Sequence, residues 1–257
     1  MTRHIAMWSC PRSCSTVITR AFEQLPGCFV FDEPFYAPYL LTNGLNHPHR
    51  EEIFNNVESD YRAIIPQITG ELPNGAKFSF QKQMAKHVLP EFKGDWLYSL
   101  ENFFLIRDLR KILASYQKVY GETSGYSIGM KALYDIFHEV KNHIGKAPIV
   151  ISADDLLKNP EVNFPILCDK LKLQFSPQML TWERGLKNSN LLGVVAPQYG
   201  RTWYGNVMKS QGFTPQTDKV IDLSIELETL FNEAEPYYKE LYKYRVQFPS
   251  PLKVETD

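Results

Sequence analysis

Apolar and polar positions along this chain follow two periods in turn. Short, mainly apolar runs predict strands at His4–Trp8, Cys28–Phe31, Ala76–Phe80, Phe103–Ile106 and Ile149–Ser152, and Phe103–Ile106 is wholly apolar. Between and after them, apolar residues recur at helical spacing. Helices are predicted at Ser15–Leu25, Glu51–Val57, Tyr61–Ile68, Asp108–Val119, Ile128–Ile144, Val162–Leu171 and Leu223–Lys243. Pro148 and Asn159-Pro160 supply breaks. Strands joined through helices predict an α/β fold with a parallel sheet covered on both faces, and ligands at the carboxyl ends of the strands. No linker or repeat interrupts the pattern, so residues 1–248 read as one domain and 249–257 as a frayed, Pro-containing tail.

Two strand ends carry candidate chemistry. After the first strand the chain reads Ser9-Cys-Pro-Arg-Ser-Cys-Ser-Thr16 and enters a helix. A strand turning tightly into a helix offers unpaired N–H groups and the positive end of the helix dipole to one point, which is an anion site. Arg12, Ser13, Ser15 and Thr16 add a charge and three hydroxyls. The triphosphate-binding pattern G-x-x-x-x-G-K-[ST] is not met: Ser9 and Cys14 stand at its Gly positions and Ser15 at its Lys. The second strand end is Phe103-Phe-Leu-Ile-Arg-Asp108, where Arg107 ends the apolar run and Asp108 caps the next helix. Ser115 follows Arg107 by eight positions, two turns along that helix on the face returning to the strand end.

Pro11-Arg-Ser-Cys-Ser-Thr16 resembles the 5′-phosphosulfate loop of the sulfotransferases, Pro-Arg/Lys-Ser-Gly-Ser/Thr-Thr. Arg107 and Ser115 resemble the Arg and Ser of that family's 3′-phosphate motif. The resemblance implies a three-layer, P-loop-like fold and a metal-free site for 3′-phosphoadenosine 5′-phosphosulfate (PAPS), with a small-molecule acceptor. Its cofactor-binding residues would be Pro11, Arg12, Ser13, Cys14, Ser15, Thr16, Arg107 and Ser115, with Arg12 also catalytic. Cys14 replaces the family Gly and Leu109 the family Pro. A residue other than Gly at positive φ there would be strained by roughly 1–3 kcal/mol.

For the base, the resemblance points to Glu33 in Phe31-Asp-Glu-Pro-Phe-Tyr36, as in bacterial members with Glu-Pro after the second strand. Burial against Phe31, Phe35 and Tyr36 is expected to raise its pKa. His87 is the rival base, and Lys82, or alternatively Lys86, is the candidate cation at the bridging oxygen, by likeness to the Lys-Thr-x-His segment of animal members. A late basic, Gly-containing stretch, 195–212, offers Arg201, Trp203 and Lys209 to close the cofactor site. Glu33, His87 and Lys82 each also have an ordinary reading, as turn or exposed residues. A non-catalytic nucleotide-binding module and a P-loop kinase stand as alternatives.

Composition adds boundaries. Lys plus Arg number 28 against 29 acidic residues, so no global basic field exists for a nucleic acid. No apolar run approaches the roughly twenty residues of a membrane span. Cys10, Cys14, Cys28 and Cys168 show no paired spacing, which suggests reduced thiols in the cytoplasm. Cys14, at a helix start, is expected to have a lowered thiol pKa where it is partly exposed, which admits a thiol-based enzyme or redox sensor.

Overall fold

The computed structural model describes residues 2–120, 128–185, 191–193, 204–214 and 221–249. Its sheet has six parallel strands in the order β5-β4-β1-β3-β2-β6. These are β1 Arg3–Ser9, β2 Cys28–Asp32, β3 Phe78–Met84, β4 Glu101–Ile106, β5 Ile149–Ser152 and β6 Leu191–Gly193. Alternate residues of β1 enter two separate cores, Ile5 and Met7 on one face, Ala6 and Trp8 on the other. That is why the run lacks a polar face.

Helix α1 (Ser15–Glu23) covers the first face. Ile18, Ala21, Phe22 and Leu25 form its apolar stripe, and Phe22 stacks on Phe80 of β3 with centroids 4.1 Å apart. Helices α2 (Tyr36–Thr42), α3 (Arg50–Asn56), α4 (Tyr61–Thr69), α5 (Leu109–Tyr120) and α6 (Met130–Ile144) cover the second face. Short α7 (Ala153–Leu156) and α8 (Pro160–Lys170) return to the first face. A helical turn at 204–209, here α9, precedes the long α10 (Ile225–Lys243), which packs on α5 and α6.

Topology places the site. β1 is central, with β3 and β2 on one side and β4 and β5 on the other. The loops leaving β1 and β4 therefore diverge above the sheet, where open α/β sheets bind ligands.

Most predicted elements are present within a few residues, but the third strand is a correction. It was expected to end at Phe80 and runs to Met84. Gln81, Lys82 and Gln83 stay in the sheet because each buried polar group finds a partner. Gln81 Nε2 donates to the Ile68 carbonyl at 2.6 Å, and Gln83 Nε2 donates to Gln81 Oε1 at 3.0 Å. α2, β6 and α9 were not expected; α2 contains Pro38, and β6 is three residues long. The tail from 250 onward lies outside the described residues.

Candidate active site

The loop 10–14 is held open by its own backbone. Arg12 and Cys14 both adopt left-handed conformations, φ 65° and φ 66°, with Ser13 between them at negative φ. Such alternation turns successive N–H groups toward one concavity. The strain expected at Cys14 is therefore present. Ser13 faces inward: its hydroxyl donates to the Cys10 carbonyl at 2.7 Å and braces the turn. Cys14 corrects the expectation of a lowered thiol pKa. Burial raises it, and Arg107, Arg12 and Lys111 do not offset that.

The second anion motif adjoins the first. Arg12 Nε donates to Ser115 Oγ at 3.0 Å, and Arg107 Nη1 donates to the Arg12 carbonyl at 2.7 Å. Arg107 Nε is buried with no hydrogen-bond partner among the described residues, an arrangement costly to leave unsatisfied. Asp108 caps α5, accepting from the Lys111 N–H at 3.1 Å. Asp154 locks the same corner, accepting from the Asp108 N–H at 2.7 Å and from Lys111 Nζ at 2.8 Å.

Arg12, Cys14, Ser15, Thr16 and Arg107 line a cavity of about 330 Å3, closed opposite by Tyr204–Val207 of α9. A smaller cavity of about 70 Å3 adjoins it, lined by Pro11, Glu33, Tyr36, His47, Lys86 and His87 among others. Arg12, Ser15, Thr16 and Tyr204 line both. They form the seam.

Glu33 reaches the smaller cavity from the end of β2 on a left-handed backbone, φ 51°, a conformation that costs roughly 1–3 kcal/mol. Its N–H donates to the Lys82 carbonyl at 2.8 Å. Its Oε1 lies 2.9 Å from Lys82 Nζ and accepts from Tyr204 Oη at 3.1 Å; Oε2 lies 3.7 Å from His87 Nδ1. Burial favours the neutral acid, yet Lys82, His87 and the Tyr204 hydroxyl outweigh it, so the Glu33 pKa is lowered. The expected rise is thus reversed: the apolar neighbours are present, but a buried ammonium dominates them.

Lys82 is fully buried rather than exposed. Its ammonium lies 2.6 Å from Asp32 Oδ1 and 2.9 Å from Glu33 Oε1, and donates to Tyr204 Oη at 2.8 Å and Thr16 Oγ1 at 3.1 Å. An ammonium has three N–H groups, and these four oxygens leave none of them free. Lys82 accordingly reaches the loop through Thr16. His87 is buried between the Tyr36 and Tyr39 rings, at 5.1 and 4.7 Å, and burial lowers its pKa to about 3. The same cause lowers Lys86 to about 8. Burial raises Asp32 to about 6 despite Lys82 beside it.

Lys209 lines neither cavity, and Arg201 and Trp203 lie outside the described residues. Sequence reasoning missed Asp32, His47 and Tyr204. Tyr204 directly follows Trp203 in the stretch singled out for its aromatics, which was the available signal.

The pattern described as "Sulfotransferase domain" matches residues 3–245. The chain belongs to the sulfotransferase family. Two curated Arabidopsis thaliana proteins, named branched-chain-amino-acid aminotransferase-like protein 2 and protein 1, are similar to this sulfotransferase-family chain. They are 33% identical over 83% of the chain and 32% over 82%. The chain spans only 37% and 36% of their lengths. Among solved structures, the sulfotransferase domain of the Synechococcus PCC 7002 olefin synthase covers 96% of this chain at 13% identity and TM-score 0.46, with 98% of that domain aligned. The sulfotransferase domain from the curacin biosynthetic pathway covers 91% at 14% identity and TM-score 0.45, again with 98% of that domain aligned.

Proposed function

We propose that this sulfotransferase moves the sulfuryl group of PAPS to a hydroxyl or amine of a small-molecule acceptor, with Glu33 as general base. The seam carries the reading. The loop suited to a phosphosulfate also walls the chamber into which Glu33 opens.

The donor set suits a nucleotide with anionic groups at both ends. Residues Pro11 to Thr16 supply N–H groups, hydroxyls and the Arg12 guanidinium for the 5′ end, with Cys14 contributing backbone only. Arg107, with its buried partnerless Nε, and Ser115 suit the 3′-phosphate. PAPS, when bound, contributes an activated sulfuryl group and departs as 3′-phosphoadenosine 5′-phosphate (PAP). Arg12 is the cation beside the leaving phosphate, because the N–H groups of Lys82 are committed elsewhere. Lys82 orients Glu33 and Thr16. Glu33, ionised at neutral pH, accepts the acceptor's proton. His87, neutral and facing Glu33 Oε2, is the second candidate for that proton. Arg201 and Trp203, just before Tyr204, are the residues we assign to closing the nucleotide side. A cytoplasmic setting suits the four free cysteines.

The direct test incubates the protein with sulfur-labelled PAPS and a panel of phenols, alcohols and amines. Transfer of label with release of PAP is expected for at least one acceptor. Tight PAP binding without transfer to any of them would leave a nucleotide-binding module and overturn the catalytic reading.

A further inference from the structure

Two carboxylates share one ammonium beside the acceptor chamber, and only one of them reaches the chamber. Asp32 lies directly across the sheet from Lys82 in register, and their side chains pair at 2.6 Å, each at most 1% exposed. Asp32 lines neither cavity. Successive strand residues normally point to opposite faces, so Glu33 should point away from that pair. The left-handed backbone at Glu33 cancels this alternation and brings its carboxylate to the same ammonium. Tyr204 Oη, arriving from α9, lies 3.1 Å from Asp32 Oδ2 and 3.1 Å from Glu33 Oε1 and accepts from Lys82.

We infer that Asp32 is a positioning residue for the reaction proposed above: it shares the charge of Lys82 from behind the chamber wall and leaves Glu33 a carboxylate only partly compensated, able to accept a proton. This inference rests on Glu33 being the base. Without Asp32, Lys82 and Glu33 would form a closed neutral pair, and protonating Glu33 would strand a buried ammonium. With Asp32 present, the three groups in direct contact, Asp32, Glu33 and Lys82, hold two anions and one cation, and one added proton makes those three neutral. The step balances. An acceptor O–H bond would break and an O–H bond on Glu33 form, while the acceptor oxygen's electron pair goes to sulfur and the sulfur–oxygen bond to the donor's 5′-phosphate breaks, its electron pair leaving on PAP.

The groups facing Glu33 are Lys82 from β3, His87 and Lys86 from the turn after it, Asp32 from β2 and Tyr204 from α9. The test follows the carboxyl carbons of Asp32 and Glu33 by carbon-13 NMR across pH. In the wild type each resonance is expected to report the other's titration in two steps. In Asp32→Asn, losing a neighbouring anion should raise the acid dissociation constant of Glu33 by roughly tenfold. In Tyr204→Phe, losing a hydroxyl donor should move it the opposite way. Opposite signs separate charge balance from a loss of structure. An unmoved Glu33 titration in Asp32→Asn would overturn the inference. If that variant does not fold, a single-step wild-type titration of Glu33, independent of Asp32, would overturn it equally. PAP titrated calorimetrically into the wild type tests the nucleotide reading separately. A shifted Glu33 with no PAP binding would leave the charge balance standing and end the nucleotide proposal.

Discussion

On the loop side of the seam, the ligand-facing groups are backbone N–H groups, hydroxyls and two guanidiniums, and one of these, on Arg107, keeps a buried nitrogen without a partner. On the β2 side, Asp32, Glu33, Lys82 and Tyr204 lie against one another within 3.1 Å as ion pairs and hydrogen bonds. The first region offers donors to an anion. The second sets its own charges against one another, and its protonation is what a reaction would change. A site proposed to bind charge and a site proposed to move a proton thus face different problems a few ångströms apart. Preorganised donors suit charge that develops during the reaction, while a compensated cluster keeps a buried base ionised.

Breaking one side while sparing the other is the way to sharpen this contrast. The largest effect is expected from Glu33→Gln. Turnover, measured with any acceptor the wild type sulfates, should fall by about 10²–10⁴, while PAP affinity changes little. Unchanged turnover would shift the base to His87. Arg107→Ala should do the reverse, weakening PAP by roughly 10- to 100-fold in calorimetry, as hydrogen bonds to a charged group are lost.

A third effect is on pH stability. His87 has a folded pKa lowered to about 3 from an ordinary 6.5, so it stays neutral in the fold while the unfolded chain binds a proton. Its contribution is present above pH 6.5 and is lost as pH falls from there toward 3. The slope is at most about 1.4 kcal/mol per pH unit. Urea titrations should show a flatter acid limb in His87→Gln; identical limbs would count against a neutral buried imidazole. The smallest effect is expected from Cys14→Gly. Relief of the left-handed backbone should stabilise the fold by about 1 kcal/mol, seen as a higher melting temperature, with PAP binding retained.

The same division explains what could be read from sequence. The loop and the Arg107–Ser115 spacing are local, each opening a helix after a strand, and their residue types state their chemistry within a dozen positions. The sheet was legible for the same reason, except for the three-residue β6 and where β3 carries Gln81, Lys82 and Gln83 into the interior. Hydrophobic patterning ends a strand at such residues, because the partners that justify their burial lie far away in sequence. The β2 cluster is assembled from positions 32, 33, 82 and 204, and no spacing connects them. Glu33 was singled out from the sequence, but its pKa direction was misjudged. The apolar flank is adjacent in sequence, whereas the decisive ammonium comes from another strand.

The most direct test of the nucleotide site is unfolding of the wild-type protein in the presence of PAP, adenosine 5′-monophosphate or ATP with magnesium. PAP at one hundred times its Kd should add about 2.7 kcal/mol of stability, with the other two clearly weaker at equal concentration. Equal stabilisation by adenosine 5′-monophosphate would mean that Arg107 and Ser115 do not read a 3′-phosphate, and preference for ATP with magnesium would contradict the assignment outright.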